Sequence, residues 1–186
     1  MNLVVFGASG ATGRWLVELA VRQGHSVTAF VRRADSIART DVRVVQGDVG
    51  DRAAVSEVLA GCDAALSALG TSRPLRSDPR VIQGVQHICD ALGVRRFVYL
   101  SVGRTVMPVT FIVRREIADH RAKEAIIERS RCDATIVRAP LLTANSTAAG
   151  WPPRMARRDV AQLMLEQLSA PSRRVVTIFE PERSAA

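Results

Sequence analysis

Gly7, Gly10 and Gly13 recur at three-residue steps between the apolar run Leu3-Val4-Val5-Phe6 and a stretch carrying Trp15, Leu16, Leu19 and Ala20. A glycine is needed where a strand turns sharply into a helix, where backbone must approach a phosphate, and where helix and strand pack closely. The helix amino end then offers unpaired N–H groups and a positive dipole to an anion. In this context Gly7-Ala8-Ser9-Gly10-Ala11-Thr12-Gly13 predicts a dinucleotide pyrophosphate loop, with Gly7, Ser9, Gly10, Ala11, Thr12 and Gly13 in contact with the cofactor. The expected end of the second strand reads Val31-Arg32-Arg33, where an NAD site would place an acid on the ribose 2′-hydroxyl. Two guanidiniums can instead hold a 2′-phosphate by paired, charge-assisted bonds, so NADP(H) is the expected cofactor, through Arg32 and Arg33 with Arg14 as a further candidate. Solvated surface arginines are the competing reading, and Asp35 stands close by.

These residues must be held by a fold, and the sequence indicates which one. Short β-branched runs alternate with helix-length stretches, the pattern of βαβ units. Strands are expected near 3–6, 26–31, 42–46, 63–67, 96–100, 134–138 and 175–179. Helices are expected near 12–23, 51–59, 79–92, 112–130 and 158–169, with Asp51, Asp78 and Asp159 marking starts. The expectation is an α/β fold, one doubly wound Rossmann-type domain over 1–186 with a mostly parallel, roughly seven-stranded sheet. Strands covered on both faces should be apolar throughout, as Leu3–Phe6 and Phe97–Leu100 are.

A chain of 186 residues with 47% hydrophobic residues can bury a substantial core. No basic-then-apolar leader and no apolar run of about 18 to 20 residues is evident, so the chain reads as soluble and cytoplasmic, without membrane contact. Cys62, Cys89 and Cys132 lack ligand or disulfide spacing, so neither a metal nor a disulfide framework is expected. The net charge is +8, but Lys123 is the only lysine among 26 basic residues and the arginines are dispersed. With no nucleic-acid motif present, the expected partner is a small molecule, anionic by preference.

Further loops lie at the expected carboxyl ends of the strands: Gln46-Gly47-Asp48-Val49, Ser67-Ala68-Leu69-Gly70-Thr71 and Val98-Tyr99-Leu100-Ser101. Later segments read Asp133-Ala134-Thr135-Ile136-Val137-Arg138-Ala139-Pro140-Leu141-Leu142 and Arg158-Asp159-Val160-Ala161. Together with the glycine loop and Val31-Arg32-Arg33, this set resembles the atypical short-chain dehydrogenase/reductases, in the NAD(P)H-binding group that includes flavin reductase/biliverdin reductase-like and NmrA-like proteins. The resemblance covers nearly the whole chain. It implies that Asp48 and Val49 touch the adenine, while Ala68, Leu69 and Gly70 line the middle of the dinucleotide. For Asp48 a helix-capping role, and for Gly70 a plain turn, compete with those contacts.

The same resemblance implies a serine after the fifth strand, kept as Ser101, and a Tyr-x-x-x-Lys pair, which is missing. Tyr99 falls inside a buried strand and reads as a packed aromatic. His120 and Glu124 share a helical face with Val113, Ile117 and Ile127. His120 could act as a general acid positioned by Glu124, or the pair could tie the helix to the sheet by an internal hydrogen bond. Reduction of a conjugated acceptor can draw its proton from water, so a missing acid favours a flavin, quinone or tetrapyrrole over a simple ketone. The substrate region is expected in the loops near 101–115 and 141–157, with Met107, Phe111, Leu141, Leu142, Trp151 and Met155 as an apolar wall. The leading expectation is an NADPH-dependent reductase using Ser101 and His120, as a monomer or homodimer. A non-catalytic NADP(H)-binding sensor of the NmrA-like type is the alternative. A nucleotide-sugar epimerase or dehydratase would need the missing tyrosine.

Overall fold

The computed structural model describes residues 1–70, 78–103, 114–144, 154–171 and 174–178. Along the chain run β1 (Asn2–Phe6), α1 (Ala11–Arg22), β2 (Ser26–Val31), β3 (Arg43–Gln46), α2 (Arg52–Leu59), β4 (Ala64–Ser67) and α3 (Pro79–Leu92). They are followed by β5 (Arg96–Val102), α4 (Arg114–Arg129), β6 (Asp133–Ala139), β7 (Leu141–Thr143), β8 (Arg154–Ala156), α5 (Arg157–Glu166) and β9 (Arg174–Thr177). Seven strands form one sheet in the order β3-β2-β1-β4-β5-β6-β9, every pairing parallel. The chain winds outward from β1 to β3 and then returns to β4, so order reverses between β1 and β4, where open α/β sheets hold ligands at the strands' carboxyl ends.

Successive strand residues point to opposite faces, and both faces are covered. Leu3 and Val5 join Leu16 and Val17 of α1 and Val160 and Met164 of α5 in one core layer. Val4 and Phe6 join Val55 of α2, Val85 and Ile88 of α3 and Ile127 of α4 in the other. This two-sided burial explains the near-continuous apolar runs, and each fully buried Leu, Val or Phe contributes about 1.5–3 kcal/mol. On β5 the same alternation places Phe97, Tyr99 and Ser101 on one face, which carries Phe97 and Tyr99 into the layer that includes α4. The chemistry of the site follows from that period of two.

The helix starts follow from their caps. The Asp51 side chain accepts from the Ala53 and Ala54 N–H groups, and Asp78 accepts from Arg80 N–H ahead of Pro79 in the first turn. The expected start at Asp159 is corrected: α5 begins at Arg157 after Ala156, and Asp159 lies in its first turn. The short parallel pair β7 and β8 was not expected, because three-residue strands carry no readable periodicity.

Candidate active site

The turn after β1 is built on carbonyl contacts that tolerate no side chains at two positions. Gly7 has φ +76°, and a Cβ there would lie 2.7 Å from the Ala68 carbonyl oxygen. A Cβ on Gly13 would lie 2.0 Å from the Gly7 carbonyl oxygen, so Gly13 lets α1 pack against the turn. Gly10 caps α1 without any side-chain hydrogen bond, and the first turn contains no acid. The first helical bond is Arg14 N–H to Gly10 O at 2.9 Å, so the N–H groups of Ala11, Thr12 and Gly13 precede any intrahelical acceptor. An uncapped helix end beside glycine backbone fits a pyrophosphate.

A cleft of about 480 Å³ runs from this turn along the carboxyl ends of the sheet. Gly7, Ser9, Gly10, Ala11 and Thr12 line its end at the glycine turn, and Arg32 is also in the lining. Asp48 and Val49 line it after β3, and Ala68, Leu69 and Gly70 after β4. Ser101 and His120 line its far end, with Pro140 and Leu142. Gly13, Arg14 and Arg33 lie outside the lining. Arg14 instead donates to Ser9 O at 3.1 Å and to Ser36 O at 3.4 Å, tying the glycine turn to the bend after β2. Arg33 is exposed and faces Asp35 at 3.9 Å, so Asp35 stands against Arg33.

The competing structural readings can now be placed. Asp48 accepts from Gly50 N–H at 2.8 Å and bends the loop before α2, whose cap is Asp51; its half-buried carboxylate still faces the cleft. A Cβ on Gly70 would meet nothing within 4 Å, so no steric demand fixes glycine there. Arg80 and Arg157 also line the cleft, and the sequence reading missed them. Their signal was position alone, each falling in the first turn of a helix that follows a strand.

At the far end, period two on β5 meets the inward face of α4. The Tyr99 hydroxyl lies 3.0 Å from His120 Nδ1 and the Ser101 hydroxyl 3.3 Å from the same atom. All three residues are buried, Tyr99 completely. Lys123 Nζ sits 6.0 Å from the Tyr99 ring centre. Burial first and the Lys123 charge second push His120 down to about 3, so its imidazole is neutral near neutral pH. Burial, followed by the charges of Glu124 and Asp119, holds the Tyr99 phenol well above its ordinary range.

One expectation is corrected here. Glu124 does not position His120; its carboxylate receives a forked pair of bonds from Arg138 of β6, at 3.1 Å from Nε and 2.6 Å from Nη2. Burial and the Lys123 charge keep the His120 ring neutral, so any part it plays starts from a neutral imidazole. Of the expected apolar wall, Leu142 lines the cleft, Met155 is packed in the core and Leu141 is 54% exposed. Met107, Phe111 and Trp151 lie outside the described residues. Among the described residues no group of three His, Cys, Asp or Glu could hold a metal, and no helix is long and apolar enough to cross a membrane.

The chain is similar to several known proteins. The sequence profile described as NAD(P)H-binding matches residues 7–171. Among curated proteins, the chain is 33% identical over 168 residues to the (4-alkanoyl-5-oxo-2,5-dihydrofuran-3-yl)methyl phosphate reductase of Streptomyces griseus, covering 87% of this chain and 55% of that one. A 3-diazoavenalumate denitrifying reductase from Streptomyces is 32% identical over 122 residues, 58% of this chain and 40% of that one. The chain spans about half or less of the length of the curated relatives it matches. Among solved structures, the anaerobilin reductase ChuY of Escherichia coli superposes with a TM-score of 0.79 at 20% identity, with 100% of each chain covered. The Bordetella bronchiseptica enzyme WbmH, solved with NAD+, gives 0.74 at 16% identity over 95% of this chain and 74% of that one. At these identities the structural likeness is one of fold.

Proposed function

The chain belongs to the NAD(P)H-binding family, and on that premise we propose that it is an NADPH-dependent reductase of a planar conjugated acceptor such as a flavin, a quinone or a linear tetrapyrrole. The observation that carries the reading is a single cleft joining an uncapped helix end to a buried Ser101–His120–Tyr99 cluster. Gly7, Gly10 and the free N–H groups of α1 hold the pyrophosphate, Asp48 and Val49 flank the adenine, and Ala68 to Gly70 pass under the middle of the dinucleotide. Arg32, the cation in the cleft at the end of β2, reads a 2′-phosphate, which favours NADPH over NADH.

The bound reduced nicotinamide supplies a hydride. Ser101 and His120 bind and orient the acceptor beside it, and the cleft between Leu142 and the glycine turn limits water. Among the described residues the partner of the Ser101 hydroxyl is the neutral His120 ring, so the acceptor must be one whose conjugation spreads the negative charge it receives, with water completing the protonation. The Streptomyces griseus relative named above reduces an oxo-dihydrofuran bearing an alkanoyl group, itself a conjugated carbonyl system, which supports that choice of class.

The test is steady-state NADPH oxidation with FMN, riboflavin, quinones and biliverdin, beside calorimetric titration of NADPH and NADH. Turnover of one of these acceptors with tighter NADPH than NADH binding is expected. Tight dinucleotide binding with no turnover would overturn the reductase reading in favour of a redox sensor, which the neutrality of His120 would equally allow.

A further inference from the structure

The Tyr99 hydroxyl is fully buried and has His120 Nδ1 as its hydrogen-bond partner among the described residues. A phenol carries one hydrogen, and Nδ1 is the acceptor within reach. If Nδ1 carried a hydrogen, it would point at the two hydroxyl oxygens and leave the Tyr99 hydrogen buried without an acceptor, at the desolvation cost of a lost partner. The arrangement that satisfies the buried phenol has Tyr99 O–H donating to the Nδ1 lone pair, the Ser101 hydroxyl at 3.3 Å from the same nitrogen, and the ring hydrogen on Nε2. Nε2 receives no hydrogen bond from a described residue, yet no described side-chain nitrogen or oxygen is both buried and unpartnered. Nε2 is therefore not sealed in the core, and the ring that carries it lines the cleft.

From this geometry we infer that Tyr99 is a positioning residue that fixes His120 in its Nε2–H tautomer, so that a neutral N–H donor faces the acceptor in the cleft. The inference rests on the reductase reading. When the acceptor is reduced, negative charge would develop on a carbonyl oxygen or ring nitrogen of its conjugated system. The His120 Nε2–H bonds that atom without transferring its own hydrogen, and a proton from water completes the reduction. A neutral ring suits this task, because it keeps its hydrogen and stays neutral before and after. Of the charges beside the ring, Lys123 stands near the Tyr99 ring, Glu124 is taken by Arg138, and the Asp119 charge also bears on the Tyr99 phenol.

The test reads the tautomer directly. Nitrogen-15 NMR of the full chain at pH 7, with His120 assigned by comparison with His120→Gln, should show an unprotonated, bond-accepting Nδ1 and a protonated Nε2. A protonated Nδ1, alone or on a doubly protonated ring, would overturn the inference, whether or not any acceptor is turned over. In Tyr99→Phe the two nitrogen shifts should move toward each other, and kcat should fall about tenfold with the KM for NADPH within about twofold, as expected for one weakened hydrogen bond. An unchanged tautomer and unchanged kcat in that variant would equally refute it. His120→Gln, whose amide nitrogen reaches the Nε2 position, should keep more kcat than His120→Asn; the reverse order would contradict a donor at Nε2. Should Tyr99→Phe fail to fold, the wild-type spectrum and the Gln/Asn pair still decide.

Discussion

Gly10 and Gly13 stand three residues apart in one loop, yet the structure assigns them opposite sensitivities. In Gly13→Ala the new Cβ would sit 2.0 Å from the Gly7 carbonyl oxygen, 2.7 Å from its carbon and 2.8 Å from Ala8 Cα, all backbone atoms. To reach an ordinary C···O separation of about 3.3 Å, α1 must retreat from the turn by about 1.3 Å. That retreat loosens Leu16, Val17 and Ala20, which α1 buries against the sheet. The overpacking cost is about 3 kcal/mol or more, equivalent to a fall of about 6–12 °C in Tm at this chain length. In Gly10→Val the Cβ meets one atom within 4 Å, the Gly7 oxygen at 3.1 Å, and the backbone sits at φ −72°, open to any residue. Its stability cost is about 1 kcal/mol or less. Its side chain occupies the approach to the uncapped N–H groups, so binding of both NADPH and NADH should weaken about a hundredfold or more, the worth of two charge-assisted hydrogen bonds. Thermal melting beside calorimetric titration separates the two effects. A Gly13→Ala protein melting within about 2 °C of the parent, or a Gly10→Val protein that keeps dinucleotide binding, would refute the assignment.

Three other outcomes follow from the site. Arg32→Ala should weaken NADPH about ten- to a hundredfold relative to NADH, the range for a charge-assisted bond, while Arg33→Ala, outside the cleft, should leave the ratio within about threefold; unchanged discrimination in Arg32→Ala by titration would contradict the 2′-phosphate role. His120 is held at about 3 in the folded chain against an ordinary 6.5, so its stabilising share is complete above pH 6.5 and is lost as pH falls toward 3. Urea unfolding between pH 7 and pH 4.5 should therefore show wild type losing up to about 1.4 kcal/mol per pH unit more than His120→Gln; parallel pH dependence would show the ring is not so depressed. Arg138→Met should cost about 2–4 kcal/mol by leaving the buried Glu124 carboxylate without its fork, somewhat below a fully buried pair because Arg138 is 36% exposed; an unfolding free energy within about 0.5 kcal/mol of wild type would deny that pairing.

Most of the framework could be read from the residues because parallel strands write their burial into the sequence. Leu3–Phe6 and Phe97–Leu100 are apolar on both faces, and Asp51 and Asp78 mark helix starts that the structure places there. The glycine turn was readable because its steric demands are local. Side-chain partners across elements were not. Glu124 lies one helical turn from His120, and the sequence gives no sign that Arg138, on a strand, claims its carboxylate first. Tyr99 read as a core aromatic and is one, but only the register of β5 against α4 brings its hydroxyl to His120. The same applies to Arg14, whose two backbone carbonyl partners lie in the glycine turn and in the bend after β2.

The most direct measurement of the central claim is a single turnover: the full chain, loaded with one equivalent of NADPH without oxygen, mixed with FMN, a quinone or biliverdin while nicotinamide absorbance is followed. The account predicts stoichiometric oxidation of the bound NADPH with matching reduction of at least one acceptor, slowed in Ser101→Ala. Bound NADPH that stays reduced in the presence of every acceptor would contradict it.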